Sequence, residues 1–132
     1  MQAHRFTIWR IPLTAILLLL MAAAAPGAAA NRLALVIGND AYRKVEPLRN
    51  ARNDARLVAS ALQQGGFEIT NATDLDRDGM WSTLDAFKAR IQKGDEVVFY
   101  FAGHGVQIGS NQLLLPIDIT AQNDAQVQRD GV

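Results

Sequence analysis

The sequence predicts an α/β domain in which helices pack on both faces of a mainly parallel β-sheet. Between residues 33 and 101, three apolar strand patterns alternate with two helical patterns, and the first and third strand patterns are continuous apolar runs. A continuous run indicates a strand buried on both faces, which is typical of parallel sheets covered by helices. Strand, helix, strand units of this kind form right-handed crossovers, so the strands should run parallel.

The first strand and the first helix come from the amino-terminal part of this pattern. Residues 33–37 (LALVI) are the continuous run, and Gly38 ends it. After a turn-rich segment, apolar side chains recur at helical spacing at Ala51, Ala55, Val58, Ala59 and Leu62. Gly65 and Gly66 then supply a stop signal for this helix.

A second strand and a second helix follow. Phe67 and Ile69 alternate with polar neighbours, which is typical of a strand. Asp76 or Asp78 is the expected N-cap of the helix that follows. Its apolar stripe, which stops before Gly94, comprises Met80, Leu84, Phe87 and Ile91.

The third strand leads directly into a glycine-rich loop. Residues 97–101 (VVFYF) are followed within two residues by residues 103–105 (GHG). Beyond the loop, residues 106–115 predict a short hairpin. The polar tail, residues 120–132, is compatible with a linker, a loop or simply the point where a fragment stops.

His104 is the residue best placed for chemistry. Ligands and catalytic groups collect beyond the carboxyl ends of parallel strands, and His104 lies at such an end. Gly103 and Gly105 allow backbone and substrate to approach closely, and histidine is a common proton-transfer group near neutral pH. Since an isolated histidine is more often structural, its position alone leaves both roles open.

Residues 1–30 have the three parts of a secretory signal peptide. Arg5 and Arg10 lie in a basic start, residues 11–25 form an apolar run, and small residues follow a Pro-Gly pair. The uninterrupted apolar stretch is shorter than the roughly 20 residues of a membrane-spanning helix. We therefore expect an exported protein, periplasmic or secreted, that begins near Asn31; an uncleaved amino-terminal anchor is the alternative.

Composition limits the function classes. The expected mature chain, residues 31–132, is long enough for one small domain and keeps 11 Lys and Arg against 13 Asp and Glu, a net charge of −2. That balance does not suggest a nucleic-acid or anionic-membrane partner. The chain contains no cysteine, which excludes disulfides, thiolate-bound zinc and thiol chemistry from these residues.

Four segments, in order, carry a resemblance to one protein family. They are residues 33–39 (LALVIGN), 48–55 (LRNARNDA), 97–107 (VVFYFAGHGVQ) and 113–118 (LLLPID). Together they resemble the amino-terminal half of caspase-like cysteine peptidases, especially bacterial and plant metacaspases. The resemblance implies a caspase-like three-layer sandwich, here truncated, and a protein or peptide substrate.

The resemblance also implies roles for two residues in the glycine-rich loop. His104 matches the family histidine, which shuttles protons between a cysteine thiol and the leaving amine. The backbone N–H of Gly105 matches one donor of the oxyanion hole, a contribution of about 3 to 4 kcal/mol to transition-state stabilisation. In caspases the nucleophile follows the histidine by about 50 residues, which points to about position 154. Residues 31–132 alone should therefore show no peptidase activity.

Asp54 matches the acidic residue of the metacaspase specificity pocket. The resemblance implies cleavage after Arg or Lys through a charge-assisted contact with this carboxylate. Arg49 and Arg52 are close in sequence and complicate the assignment. The alternative role is that of an acidic residue in the first turn of a helix, stabilised by the helix dipole.

A calcium site is a competing interpretation of one acidic segment. Asp74, Asp76, Asp78, Gly79 and Asp85 nearly fit the EF-hand loop pattern. The last position is Asp instead of Glu, a strand precedes the segment, and a helix is predicted where the loop should coordinate. We therefore assign no metal site and expect no cofactor, with calcium as the open alternative.

Two further functions compete with the peptidase interpretation. A caspase-like module that lost its thiol would serve as a non-catalytic binding or scaffold domain, because fold does not fix function. A nucleotide-binding α/β module is the third possibility, but Gly38 is followed by Asn39 and Asp40 where a phosphate loop would begin. Oligomeric state is not readable from the sequence.

Overall fold

The computed structural model describes residues 30–132, and strands and helices alternate as predicted up to residue 102. Only the last residue of the predicted signal peptide, Ala30, is among them, so that prediction lies outside the described residues. The elements are β1 (Arg32–Gly38), α1 (Ala51–Gln64), β2 (Glu68–Thr73), α2 (Arg77–Lys88), β3 (Glu96–Ala102), β4 (Gly105–Ile108), β5 (Asn111–Leu114) and α3 (Asp124–Asp130). Within residues 30–132, no helix is both long enough and apolar enough to span a membrane.

The main sheet has three parallel strands in the order β2-β1-β3. In the register of this sheet, Gly38 at the end of β1 lies opposite Thr73 of β2 and Ala102 of β3. The carboxyl ends of all three strands therefore meet at one edge. The loops that leave these ends are close together there, including the loop that carries His104.

Helices cover the two faces of the sheet. Helix α1 packs on one face, where the buried cluster comprises Val36, Ala55 and Ala59 with Leu62, Ile69 and Tyr100 around it. Helix α2 packs on the other, where the cluster comprises Leu33, Leu35, Ile37 and Phe87 with Leu75, Leu84 and Phe101 around it. Because β1 side chains alternate between the two clusters, this strand is buried on both faces. The predicted three-layer arrangement is confirmed.

The boundaries of α2 differ from the predicted stripe. The side chain of Asp76, and not that of Asp78, caps the helix by accepting the N–H of Gly79 at 2.9 Å. The helix ends at Lys88, and the amides of Arg90 and Ile91 bond three residues back, that of Ile91 to the Lys88 carbonyl at 3.1 Å. Ile91 therefore lies beyond the helix and is 38% exposed, so the predicted stripe was too long at this end.

The polar tail forms a helix, not the linker or loop that the sequence suggested. Helix α3 begins after Asn123, whose side chain accepts the N–H of Gln126 at 2.9 Å. Val132 then exchanges two backbone hydrogen bonds with Leu114 of the hairpin. Within the helix only Val127 is buried, in a cluster with Tyr42, Leu115, Ile117 and Ile119. A single buried residue in seven gives no periodic signal, which explains why the pattern missed this helix.

Candidate functional site

A buried asparagine joins the strand ends that form the site. Asn39 follows β1, is fully buried, and donates its N–H to the carbonyl of Ala102 at 2.9 Å. Its side-chain oxygen accepts the N–H of Leu75 at 3.0 Å, and its amide nitrogen lies 3.5 Å from the carbonyl oxygen of Leu115. These contacts hold the ends of β1 and β3 against the loop after β2. The site is therefore built on a rigid edge of the sheet.

Asp74 holds the loop between β1 and α1. Its carboxylate accepts the N–H groups of Asp40 and Ala41, both at 2.9 Å, and its own N–H donates to the Gly38 carbonyl at 3.0 Å. To make these bonds Asp74 adopts a left-handed backbone conformation with φ of 53°. An aspartate tolerates that conformation better than most residues because its short side chain bonds locally. The sequence suggested Asp74 as a possible calcium ligand and did not predict this backbone clamp.

Arg52 completes this clamp from helix α1. Its guanidinium donates to the Asp40 carboxylate at 3.0 Å and lies 3.2 Å from the Asp74 carboxylate. The hydrogen bond to Asp40, followed by the charge of Asp74, raises the pKa of Arg52. Arg52 is thus directed toward the loop that follows β2.

His104 lies directly beyond β3, and its main chain is held on both sides. Its N–H donates to the hydroxyl of Tyr42 at 2.8 Å, and its carbonyl accepts the N–H of Leu115 at 2.9 Å. The imidazole also contacts the Tyr42 ring, with centroids 4.6 Å apart and planes tilted by 55°. The side chain is half-buried, so it is both anchored and reachable.

The imidazole ring is oriented by a backbone carbonyl. His104 Nε2 lies 2.8 Å from the carbonyl oxygen of Glu46. A carbonyl oxygen can only accept a hydrogen bond, so Nε2 must carry the proton. In the neutral ring, Nδ1 is then the unprotonated nitrogen. This tautomer leaves Nδ1 able to accept a proton from another group.

The N–H of Gly105 is directed away from the hairpin. In the antiparallel pair of β4 and β5, Gly105 lies opposite Leu114. In the next pair, the N–H of Leu115 donates to the carbonyl of His104, and the backbone groups of Leu114 bond outward to Val132. Because bonded and non-bonded pairs alternate along such a ladder, the N–H of Gly105 points out of the pair on its own side. Gly105 itself is exposed, so this N–H is available to donate to a ligand beside His104.

Asp54 lines a cleft next to the histidine loop. The cleft has a volume of about 390 Å³ and lies between the start of α1 and the end of β3. Its lining comprises Leu48, Arg49, Asn50, Ala51, Asp54, Phe101, Ala102 and Gly103. Asp54 is exposed in the first turn of α1, where its own N–H donates to the Asn50 carbonyl. The structure thus brings Asp54 and the histidine loop to one cleft.

The two arginines that complicated the assignment of Asp54 have different positions. Arg49 lines the same cleft as Asp54, whereas Arg52 lines a separate cleft of about 400 Å³ on the β2 side. Asp40 also lines this second cleft, and its Oδ1 is buried without a hydrogen-bond partner among the described residues. Arg49 is therefore the arginine whose positive charge offsets the negative charge of Asp54 in the first cleft.

The acidic segment does not form a calcium-binding loop. In residues 30–132, no group of three or more acidic or histidine side chains converges on a point that could hold a metal ion. Asp74 clamps backbone amides, Asp76 caps α2, and Asp85 lies on α2 at 3.8 Å from Lys88. The helix begins inside the stretch that would have to coordinate the ion, so the EF-hand interpretation is not supported.

Sequence reasoning missed two of the residues that hold His104. Tyr42 and Glu46 lie in the turn-rich segment that had no assigned role. A large aromatic residue within a polar turn was a usable signal for Tyr42, because such a side chain is usually buried. Glu46 contributes only its carbonyl oxygen, so its residue type carries no signal.

Comparison with known proteins gives one family. The model of the family described as "Caspase domain" matches residues 31–129 of this chain. The chain is 31% identical over 90 residues to the human mucosa-associated lymphoid tissue lymphoma translocation protein 1, which covers 68% of this chain and 11% of that protein. It is 28% identical over 120 aligned positions to Metacaspase-1 of Mycosarcoma maydis, with coverages of 76% and 29%. The chain thus spans less than a third of each of these relatives. It belongs to the caspase-domain family.

Proposed function

We propose that the chain is the histidine-bearing part of a cysteine endopeptidase in which His104 is the acid–base catalyst. The observation that carries this proposal is the 2.8 Å contact between His104 Nε2 and the Glu46 carbonyl. It assigns the proton to Nε2 and leaves Nδ1 as the base. A histidine fixed in this tautomer at the end of a strand suits proton transfer better than a structural role.

The proposed reaction begins with the transfer of a thiol proton to Nδ1 of His104. The thiolate sulfur attacks the carbonyl carbon of the substrate, and the N–H of Gly105 donates to the developing oxyanion. The imidazolium then returns its proton to the leaving nitrogen, and the amine departs. Water hydrolyses the resulting thioester, which releases the acid product and regenerates the thiol.

The thiol must come from residues outside these 132, because they contain no cysteine. The outer edge of β3 has no strand partner among the described residues, and Val97 and Phe99 of this strand are 40% and 46% exposed. A further parallel strand at this edge would end beside His104. A cysteine at the end of such a strand would lie where Nδ1 could accept its proton.

We also propose that Asp54 selects substrates with Arg or Lys before the cleaved bond. Its carboxylate shares a cleft with Gly103, which precedes the histidine. A cationic side chain in this cleft would gain a charge-assisted hydrogen bond. Arg52 lies in the second cleft and so leaves the charge of Asp54 unpaired by it, which supports this assignment. Arg49 lies in the cleft of Asp54 and weakens the negative potential there.

We propose that the protein acts on a protein or peptide substrate in the periplasm or the extracellular space. This rests on the signal-peptide pattern of residues 1–30. It is tested by expressing the chain in a bacterial host and determining the first residue of the exported product. An amino terminus near Asn31 agrees with cleavage, whereas retention of Met1 with membrane-bound protein indicates the anchor.

The test of the peptidase proposal uses the longer polypeptide encoded by the same gene. We expect a cysteine within about 50 residues after His104, and cleavage of peptides that end in Arg or Lys. His104→Ala should abolish turnover, whereas the 132-residue chain alone should show none. Absence of a cysteine, or turnover that survives His104→Ala, would contradict the proposal. The first of these outcomes would favour a non-catalytic caspase-fold module.

A further inference from the structure

The backbone of His104 belongs to a closed set of three hydrogen bonds. The Tyr42 hydroxyl accepts the N–H of His104 at 2.8 Å and donates to the carbonyl of Leu115 at 3.0 Å. The N–H of Leu115 in turn donates to the carbonyl of His104 at 2.9 Å. The hydroxyl therefore joins the histidine loop to the segment that follows the hairpin.

The hydroxyl has one possible orientation in this set. Because the His104 N–H is a donor, the hydroxyl must accept from it, and its own proton must go to the Leu115 carbonyl. Burial raises the pKa of Tyr42, so the hydroxyl keeps its proton at neutral pH. Phenylalanine has the same ring but can make neither bond, which would leave the N–H of His104 without its partner.

The Tyr42 ring is itself immobilised. It is only 4% exposed and packs in a cluster with Leu115, Ile117, Ile119 and Val127. The Tyr42 hydroxyl packs closely against Gly103: a Cβ atom built on Gly103 would lie 2.7 Å from the hydroxyl oxygen. The glycine before His104 is therefore needed to let the hydroxyl approach.

The same loop holds the histidine at two points. Tyr42 binds its main chain and contacts its ring, and four residues later the Glu46 carbonyl binds Nε2. We propose that Tyr42 is a positioning residue, which fixes the backbone of His104 so that the ring meets Glu46 and presents Nδ1 to its reaction partner. The importance of this for catalysis rests on the proposed function.

The first test measures His104 in the 132-residue chain, without any thiol. The chain has two histidines, His4 and His104, so ¹⁵N-labelled histidine gives signals that are simple to assign. In the wild type we expect a slowly exchanging His104 amide and ring ¹⁵N shifts of the Nε2–H tautomer. A rapidly exchanging amide, or a mixture of tautomers, would overturn the inference without any variant.

Tyr42→Phe and Tyr100→Phe form a matched pair, because these are the two tyrosines of the chain. Tyr42→Phe should raise the exchange rate of the His104 amide by at least about tenfold and mix the ring tautomers. Tyr100→Phe, on β3 four residues before the histidine, should change neither. Equal behaviour of the two variants would refute the role of Tyr42.

A kinetic test in the longer polypeptide separates this inference from the proposed function. Tyr42→Phe should lower kcat by about 10- to 100-fold and leave KM within about twofold, since a displaced histidine slows the chemistry more than it weakens binding. An unchanged kcat in an active enzyme would refute the role of Tyr42. A wild type without peptidase activity would instead refute the proposed function, and the NMR comparison would still decide whether Tyr42 positions His104.

Discussion

Gly38 packs directly against Ala55: a Cβ atom built on Gly38 would lie 2.8 Å from the Cβ atom of Ala55. The same atom would also lie 2.8 Å from the carbonyl oxygen of Ala51 and 2.9 Å from Cα of Arg52. All three neighbours are rigid parts of α1, so none can turn aside. This close approach places the start of the helix, with Asp54, beside the ends of β1 and β3.

Gly38→Ala should therefore destabilise the domain by about 3 kcal/mol, the upper part of the range for an overpacked core. The measurement is the free energy of unfolding from urea titration. Gly105→Ala is the matched control, because its Cβ atom would meet the Leu113 carbonyl at an ordinary 3.6 Å. We expect that change to cost about 0.5 kcal/mol or less. Similar losses in the two variants would contradict the packing argument.

Replacement of Asp74 should separate its hydrogen bonds from its charge. Asp74→Ala loses two backbone hydrogen bonds to Oδ1 and forces alanine into a left-handed conformation, which together should cost roughly 2 to 4 kcal/mol. Asp74→Asn keeps an acceptor oxygen and tolerates the conformation, so it should lose only about 1 kcal/mol, mainly the pairing with Arg52. Thermal and urea unfolding of both variants provide the comparison, and equal losses would show that charge dominates.

The ionised carboxylate of Asp95 should contribute to the free energy of unfolding at neutral pH, and this contribution should be lost in acid. Its carboxylate accepts the N–H of Gln92 and then that of Asn31, and these bonds lower its pKa from the ordinary value of 3.8. A lowered folded-state pKa stabilises the fold above the unfolded-state value, and this contribution disappears as pH falls through the lower folded-state value. Asp95→Asn should therefore be less stable than the wild type at pH 7, and the difference should shrink below about pH 4.

The measurement for Asp95 is the free energy of unfolding of wild type and variant between about pH 2 and pH 7. Asp85→Asn serves as the control, since this carboxylate is exposed on α2 at 3.8 Å from Lys88. A gap between wild type and Asp95→Asn that stays constant with pH would show that the lost contacts are not those of the ionised carboxylate.

Neutralising Asp54 should change specificity without unfolding the domain. In the longer polypeptide, Asp54→Asn should lower kcat/KM for Arg-ending peptides by about 10- to 100-fold, the loss expected for a charge-assisted contact with substrate. Asp85→Asn removes the same charge from another helix and should leave kcat/KM unchanged. A preference for Asp-ending peptides in the wild type would indicate that Arg49 governs the cleft.

Most of the fold was predictable because the core elements have strong local patterns. Strand β1 is a continuous apolar run, and helix α1 buries Ala51, Ala55 and Ala59 at the predicted spacing. Local patterns were less informative at the ends of elements. Helix α2 ended before Ile91 because the last turn tightens, and α3 was missed because one buried valine gives no period.

The candidate site was predictable in part for the same reason. The position of His104 follows from a strand pattern and a glycine-rich loop, and the family resemblance added Gly105 and Asp54. The cleft that brings Asp54 to the histidine loop required the structure, as did the separation of Arg49 from Arg52. These facts depend on where α1 lies against β1, which Gly38 and Ala55 determine by close packing.

The sequence by itself determined the three-layer fold, the strand end at which His104 lies, and the absence of a thiol in these 132 residues. Only the tertiary structure decided that Tyr42 and the Glu46 carbonyl hold His104, and that Asp74 clamps the loop that carries them. The physical reason is distance along the chain. Hydrophobic periodicity is a local property that fixes elements and faces, whereas these contacts join residues some 30 to 60 positions apart through the path of a loop.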